Sequence, residues 1–480
     1  MNKFFKLEEN NTTVGREIMA GVTTFFAMSY ILFVNPEILG QAGMPVQAVF
    51  LATILASIVG CLAIGLIANV PYALAPGMGL NAFFSYTIVL SLGYSWQEAL
   101  AMVFICGIIN IIITFTSVRK AIILGIPESL QHAIGGGIGI FIAYIGIKNA
   151  GLLRFISDPG TYTNNHGTIT SNSAIVPELV TFNDPGALVA LAGLVITMYF
   201  VLRGRISNKP IFKAGILISI LLTTIIAILS GLVSVNMSTL FAENNIGTAI
   251  HQMGQTFGAA FGPKGFATLF ADPNKYIEVL MTILALSLSS IFDPIGTFIG
   301  TGRATGIFSD KDLEEMENSR GFSSKMDKAL FADMIATPIG AIFGTSNTTV
   351  FVESAAGIGA GGRTGLTSVV VAIMFAISSF FLPLLSIVPT QATAPVLIIV
   401  GMMMLGSFKE IKWDDLNEAI PAFFTSIFMG FAYSISYGIA AGFITYIITK
   451  LVIGKPKEIK PIIWAVAILF IINFAVLAIL

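Results

Sequence analysis

Two carboxylates stand inside stretches that are otherwise almost free of charge. Asp293 lies in Leu286-Ser-Leu-Ser-Ser-Ile-Phe-Asp-Pro-Ile-Gly-Thr, and Glu353 lies in Thr348-Thr-Val-Phe-Val-Glu-Ser-Ala-Ala-Gly. A carboxylate accepts two parallel hydrogen bonds from a planar ligand with adjacent N–H groups, such as a nucleobase edge. Burial away from water favours the neutral acid, so the same group can load a proton with its ligand and release it elsewhere. That chemistry suits proton-coupled uptake. The competing readings are structural: a polar cap at the Pro294 kink for Asp293, and an ion pair with Arg363 for Glu353. Asn81 follows Gly77-Met-Gly, where its amide either meets a ligand edge or satisfies freed backbone. Ser290 precedes Asp293 by one turn and faces the same way, unless its hydroxyl bonds back to its own helix. Phe25, Phe26, Phe83 and Phe351 are candidates for stacking on a planar base, although among 38 phenylalanines packing is the commoner role.

The medium that makes these carboxylates costly follows from composition. Of 480 residues, 55% are apolar and only 11% charged, far fewer charges than a soluble surface needs. Lys and Arg number 25 against 26 Asp and Glu, a net charge of −1, which leaves no electrostatic footprint for nucleic acid. The chain therefore reads as an all-α polytopic membrane protein. Cys61 and Cys106 sit in apolar runs and imply neither a disulfide nor a metal site. Residues 1–17 are a polar mixture unlike a secretory signal. No phosphate-binding Gly-x-x-x-x-Gly-Lys loop and no His-Glu-x-x-His or Cys-x-x-Cys pattern occurs, and His132, His166 and His251 are scattered. ATP-driven transport and metal chemistry thus have no motif. A membrane enzyme using the two carboxylates as acid and base has no recognisable nucleophile, and a channel suits buried carboxylates poorly.

Counting apolar runs of about 20 residues gives segments near 18–39, 47–70, 72–92, 97–118, 130–148, 186–203, 212–235, 276–301, 326–343, 346–362, 365–388, 391–407, 417–433 and 434–452, with an extra C-terminal run at 461–480. Basic residues place three loops with the amino terminus on the cytoplasmic face: Arg119 and Lys120; Arg203, Arg205, Lys209 and Lys213; Arg303, Lys311, Arg320, Lys325 and Lys328. The long polar connections 149–185 and 236–275 then lie outside, and Lys450, Lys455, Lys457 and Lys460 fall inside if 417–452 is a hairpin of two short helices. The third segment of each set of seven, 71–86 and 345–365, is too rich in Gly, Pro and small polar residues for a uniform helix. Seven spans per half invert the second half, and paired interrupted segments mark a midplane binding site.

Four stretches resemble one family: Gly21-Val-Thr-Thr-Phe-Phe-Ala-Met-Ser-Tyr-Ile-Leu-Phe-Val-Asn-Pro, Ala75-Pro-Gly-Met-Gly-Leu-Asn-Ala-Phe-Phe, Phe292-Asp-Pro-Ile-Gly-Thr, and Glu353-Ser-Ala-Ala-Gly-Ile-Gly-Ala-Gly-Gly-Arg-Thr-Gly-Leu-Thr. They are similar to the purine (hypoxanthine/guanine/adenine) permeases of the nucleobase/ascorbate transporter superfamily, across nearly the whole chain. The resemblance implies two inverted repeats of seven helices, with short β-strands in segments three and ten pairing antiparallel beside the ligand. It implies a core domain from 17–118 and 276–388 and a gate domain from 130–235 and 391–452, flanked by a cytoplasmic segment 1–16 and the extra segment 461–480. It makes Glu353 the base-binding carboxylate and matches Asn81 to a site asparagine. Many members carry an acidic residue three positions before the Asp of Phe-Asp-x-x-Gly-Thr; here that residue is Ser290. Either Asp293 takes over ligand or proton handling, or purine preference and coupling differ from the relatives'.

The expected substrate-binding set is Glu353, Asp293, Asn81, Ser290, Val352 and Phe25, with Asp293 and Glu353 also carrying protons. The expected activity is proton-coupled import of purine nucleobases across a cytoplasmic membrane by an elevator-like motion, with uracil, xanthine or another planar solute as the alternative cargo. The implied partners are a purine base, protons and the bilayer, with a second copy of the chain as a further candidate, and the proton gradient stands in place of any cofactor.

Overall fold

The computed structural model describes residues 2–116, 126–157, 162–165, 168–171, 175–207, 212, 214–235, 245–298, 307–308 and 324–479. Arg119, Lys120, Lys209, Lys213, Arg303, Lys311 and Arg320, used above for orientation, lie outside these residues, as does His166. Apolar runs become helices because a helix satisfies every backbone group within itself. Nine helices among the described residues are long and apolar enough to cross a membrane, including Val14–Gln41, Val46–Ala68, Glu128–Asn149 and Ile435–Val452. Shorter apolar helices occupy Met78–Ser91, Gly215–Leu229 and Pro461–Ala475. The chain is a multi-pass membrane protein.

The first span is α1 (Val14–Met28) followed by α2 (Ile31–Gln41), and the second is α3 (Val46–Ala63) with a π-helical tail. The third breaks as expected. After Asn69, left-handed at φ 53°, the backbone runs extended through β1 (Leu74–Pro76) and re-enters helix at α4 (Met78–Ala82) with a π-helical continuation, Phe83–Ser91. Pro71 and Pro76 lack the N–H that helix propagation needs. There follow α5 (Trp96–Phe115), capped by a reciprocal Ser95–Glu98 box, and α6 (Glu128–Asn149). The connection 149–185, expected as a polar loop, contains strands β2 (Leu153–Ser157) to β5 (Ile175–Leu179), with β3 (Tyr162–Asn165) and β4 (Thr168–Ser171) between them. β2 pairs with β5 and β3 with β4, both antiparallel.

Next come α7 (Pro185–Ile206), α8 (Gly215–Leu229), α9 (Ile246–Thr256) and α10 (Tyr276–Thr297), which contains Pro294. Helix α11 (Lys325–Phe343) ends at left-handed Gly344 and leads into β6 (Thr348–Val350) and α12 (Ser354–Gly359), the broken tenth segment. The remaining helices are α13 (Gly365–Ser378), α14 (Thr390–Met404), α15 (Leu416–Phe431), α16 (Ile435–Val452) and α17 (Pro461–Ile479). Residues 417–452 thus form two helices packed on each other.

Packing sorts most helices into two groups. In one, α1, α2, α3, α5, α11 and α13 pack on one another through the pairs α1–α13, α2–α3, α3–α11, α3–α13 and α5–α11. In the other, α6, α7, α8, α14, α15 and α16 do so through α6–α14, α6–α15, α7–α8, α7–α14 and α15–α16. Strands β1 and β6 pair antiparallel, Leu74 opposite Val350 and Pro76 opposite Thr348, so the two interrupted segments meet inside the first group.

Helices in lipid associate by close packing because no hydrophobic force separates side chain from lipid tail. At Gly65 and Gly365 the backbones themselves touch: a Cβ on Gly65 would lie 2.7 Å from the Gly365 carbonyl oxygen, and one on Gly365 would overlap Gly65. Gly365→Val is therefore expected to cost about 3 kcal/mol or more, since backbone cannot yield as a side-chain end can. A melting curve in detergent checks this, and an unchanged midpoint would refute the close approach.

Candidate functional site

The β1–β6 pair has three residues in each strand, with helix resuming at Met78 and at Ser354. Backbone bonds continue past it from Gly77 N to Asn347 O at 2.9 Å and from Phe351 N to Ala73 O at 2.9 Å. The Ser354 hydroxyl accepts the Ala73 N–H at 3.0 Å, and the Thr337 hydroxyl donates to Thr348 O at 3.0 Å. This satisfies backbone that would otherwise be unpaired in an apolar interior. It also fixes a row of side chains along residues 347–353.

Glu353 occupies the N-cap position of α12, and the hydroxyl of Tyr30 donates to its Oε1 at 2.6 Å. Tyr30 is fully buried at the junction of α1 and α2, and its ring lies 6.4 Å from that of Phe351. With one oxygen held, the Glu353 carboxyl has a defined orientation and a second oxygen for a ligand. Arg363, the alternative partner, turns away. Its guanidinium donates to the carbonyls of Ile358 and Gly362 at 2.8 and 2.7 Å, closing the end of α12 instead of pairing with Glu353.

Asp293 on α10 accepts a hydrogen bond from the Thr349 hydroxyl at 3.2 Å. One turn earlier, the Ser290 hydroxyl accepts from Asn347 Nδ2 at 2.9 Å. Residues 347 and 349 share one face of the strand, as residues 290 and 293 share one face of the helix, so α10 lies along β6. The Asn347 amide also reaches Cys106 Sγ at 3.5 Å; Asn110 donates to the same sulfur at 3.6 Å and accepts from Ser287. Cys106 thus serves as a buried hydrogen-bonding group behind the strand.

The remaining candidates fall differently. Asn81 bonds to the Ser346 hydroxyl and, at 3.5 Å, to the Pro76 carbonyl, so its amide joins the two interrupted segments to each other. Phe25 packs edge-on against Phe375 at 5.2 Å and beside Phe26 at 5.6 Å, within the α1–α13 contact. Val352 is half exposed, Phe83 fully buried, and Phe26 exposed. His132 lies near the start of α6 and His251 on α9.

Sequence reasoning did not single out three further buried residues, two of them at this site. Tyr30 is the first. Asp333 on α11 is buried, accepts the Val350 N–H of β6, and has no partner for Oδ1 among the described residues. It is in electrostatic reach of Asp293, which is in turn in reach of Glu353. Three carboxyl groups from three segments therefore line one strand. The third is Glu17, whose buried carboxylate accepts the N–H groups of Arg363, Thr364 and Thr367 at 2.9, 3.3 and 3.2 Å and the Thr367 hydroxyl at 2.6 Å. An anion on the first turn of α13 satisfies orphan donors and complements the helix dipole. A carboxyl group inside each apolar run was the available signal for Asp333. Glu17 was hidden in the polar leader and Tyr30 among aromatics.

Among the described residues no cluster of three or more His, Cys, Asp or Glu side chains is arranged to hold a metal ion. The geometry offers a carboxylate acceptor oriented by Tyr30, a second carboxyl bonded to Thr349 of β6, and polar backbone at the break of two helices. It suits recognition of a small planar N–H donor and handling of a proton.

Comparison with known proteins finds a family and a fold. A family model described as a permease family matches residues 15–171 and 166–441. The guanine/hypoxanthine permease PbuO of Bacillus subtilis is 38% identical over 477 residues, covering 98% of this chain and 100% of the relative. The adenine permease AdeP of Escherichia coli is 36% identical, covering 98% and 95%. Among solved structures, the transmembrane domain of the cyanobacterial bicarbonate transporter BicA aligns over 90% of this chain and 96% of its own, with a TM-score of 0.55 at 15% identity. SLC26A9 aligns over 91% and 65%, with a TM-score of 0.56 at 12% identity. At such identities the likeness is one of fold.

Proposed function

Since the chain belongs to this permease family, matched over residues 15–171 and 166–441, and is a membrane transporter and not an enzyme, we propose that it imports purine nucleobases with protons across a cytoplasmic membrane. The observation that carries the reading is Glu353, oriented by Tyr30 at 2.6 Å beside the paired strands. Its carboxylate accepts from the N–H groups of a purine edge while Tyr30 holds Oε1. Relatives named as guanine/hypoxanthine and adenine permeases support this substrate class.

Asp293 and Glu353 load the proton, with Asp333 in reach of Asp293. A carboxyl group in a membrane interior carries a proton most easily when the alternative is an unpaired charge. The movement is of one helix group, α1–α3 with α5, α11 and α13, past the other, in an elevator-like step. The sorting of helix contacts into two groups supports it.

Cells lacking purine uptake of their own and expressing this chain are expected to accumulate labelled hypoxanthine, guanine or adenine. Unlabelled hypoxanthine, guanine and adenine should compete, uracil and xanthine much less so, and a protonophore should abolish accumulation. Equal competition by uracil would overturn the substrate class. Accumulation indifferent to the protonophore would overturn the coupling.

A further inference from the structure

The two helix groups are also joined by a chain of polar contacts that the binding site does not use. Val14–Gln41 is one crossing, so Glu37 and Gln41 lie at the face opposite the amino-terminal segment. There Gln41 Nε2 donates to Glu37 Oε1 at 2.8 Å, and the Thr393 hydroxyl of α14 donates to Glu37 Oε2 at 3.1 Å. Tyr86, on the π-helical segment after α4, donates its hydroxyl to Gln41 Oε1 at 2.9 Å and accepts from Asn149 Nδ2, at the end of α6, at 2.9 Å. Beside it the Thr87 hydroxyl donates to the Tyr433 carbonyl at 3.2 Å. Thus α2 and the Tyr86 segment are tied to α6, α14 and the 432–434 turn.

Both oxygens of Glu37 and both ends of the Gln41 amide are spent here. Tyr86 and Thr393 are buried while Gln41 is exposed, so the chain runs from the interior to water. Such contacts are reversible, because water entering from the exposed end replaces each partner and the net worth of each bond is small. Backbone-to-backbone packing within one group, as between Gly139 and Gly401, has no such substitute; a Cβ on Gly139 would lie 2.7 Å from the Gly401 carbonyl oxygen.

We infer that the Glu37–Gln41–Tyr86–Asn149 chain with Thr393 is a latch that holds this face of the carrier shut, and that it opens and re-forms in every transport cycle. The inference rests on the proposed carrier function. Its test joins the two groups reversibly: Gln41→Cys with Asn149→Cys, linked by a short reducible bifunctional thiosulfonate. The side chains replaced both bond to one hydroxyl, and native Cys61 and Cys106 are buried. Purine uptake by the linked protein should fall about tenfold or more and return on reduction, since closure that cannot reopen stops the cycle. Uptake by the linked protein at the unlinked rate would overturn the latch, as would failure of the two cysteines to link. Adding Ser29→Cys, next to Tyr30, gives a readout that needs no substrate. A membrane-impermeant maleimide applied to this face should label position 29 in the reduced protein, read on its own peptide because positions 41 and 149 then also carry free thiols, and should stop labelling it on linking. That result upholds the latch even if no purine is carried, and equal labelling in both states overturns it.

Discussion

Glu353→Gln is expected to weaken purine binding by roughly 100-fold while the protein stays inserted and folded. The substitution keeps the shape of the side chain but turns one acceptor into a donor, which then faces an N–H of the base. A hydrogen bond to a charged group is worth about 1.5–3 kcal/mol and the opposed donors add a desolvation cost, together about 3 kcal/mol, or two decades in affinity. Equilibrium binding of labelled hypoxanthine to purified protein measures it. Tyr30→Phe is the graded control, for it removes only the hydroxyl that holds Oε1 at 2.6 Å and should cost about tenfold. A Glu353→Gln affinity within about threefold of the parent would remove this residue from contact with the ligand.

Asp293→Asn is expected to abolish concentrative uptake while leaving exchange of bound base across the membrane. The amide oxygen still accepts the Thr349 hydroxyl, now at 3.2 Å from Oδ2, so the local geometry survives. What is lost is a group that binds a proton on one side and gives it up on the other. Each unit of pH gradient is worth about 1.4 kcal/mol per proton, or about tenfold accumulation, and the variant should show none of it. Proteoliposomes with an imposed pH gradient and labelled base inside and outside separate the two activities. Undiminished gradient-driven accumulation would assign the proton to Glu353 or Asp333 instead.

Much of this site was legible because its signals are local. A charge in an apolar run is costly wherever the run folds, so Asp293 and Glu353 stand out unaided. Proline and glycine at 71–79 and the polar run 345–349 forbid uniform helix, and the structure puts β1 and β6 there. The same rule reaches Glu37 and Asp333, which lie in the expected spans 18–39 and 326–343. Asn81 shows its limit: the amide was open to either a ligand or backbone, and its partner Ser346 is 265 residues away. Likewise, the four strands within 149–185 come from a polar connection with no apolar alternation to mark them.

The sequence by itself determined that this chain lives in a membrane, where two of its segments break, and which family it resembles. Those properties depend on composition and on neighbours within a few turns. Only the tertiary structure decided which groups meet: Tyr30 with Glu353 across 323 residues, Glu17 with Thr367 across 350, and Glu37 with Thr393 across 356. In a bilayer an apolar run is equally content against lipid or against another helix, so hydropathy carries no record of its partner. Partners are chosen where backbones approach closely and where buried polar atoms must find each other, and both conditions exist only once the chain has folded.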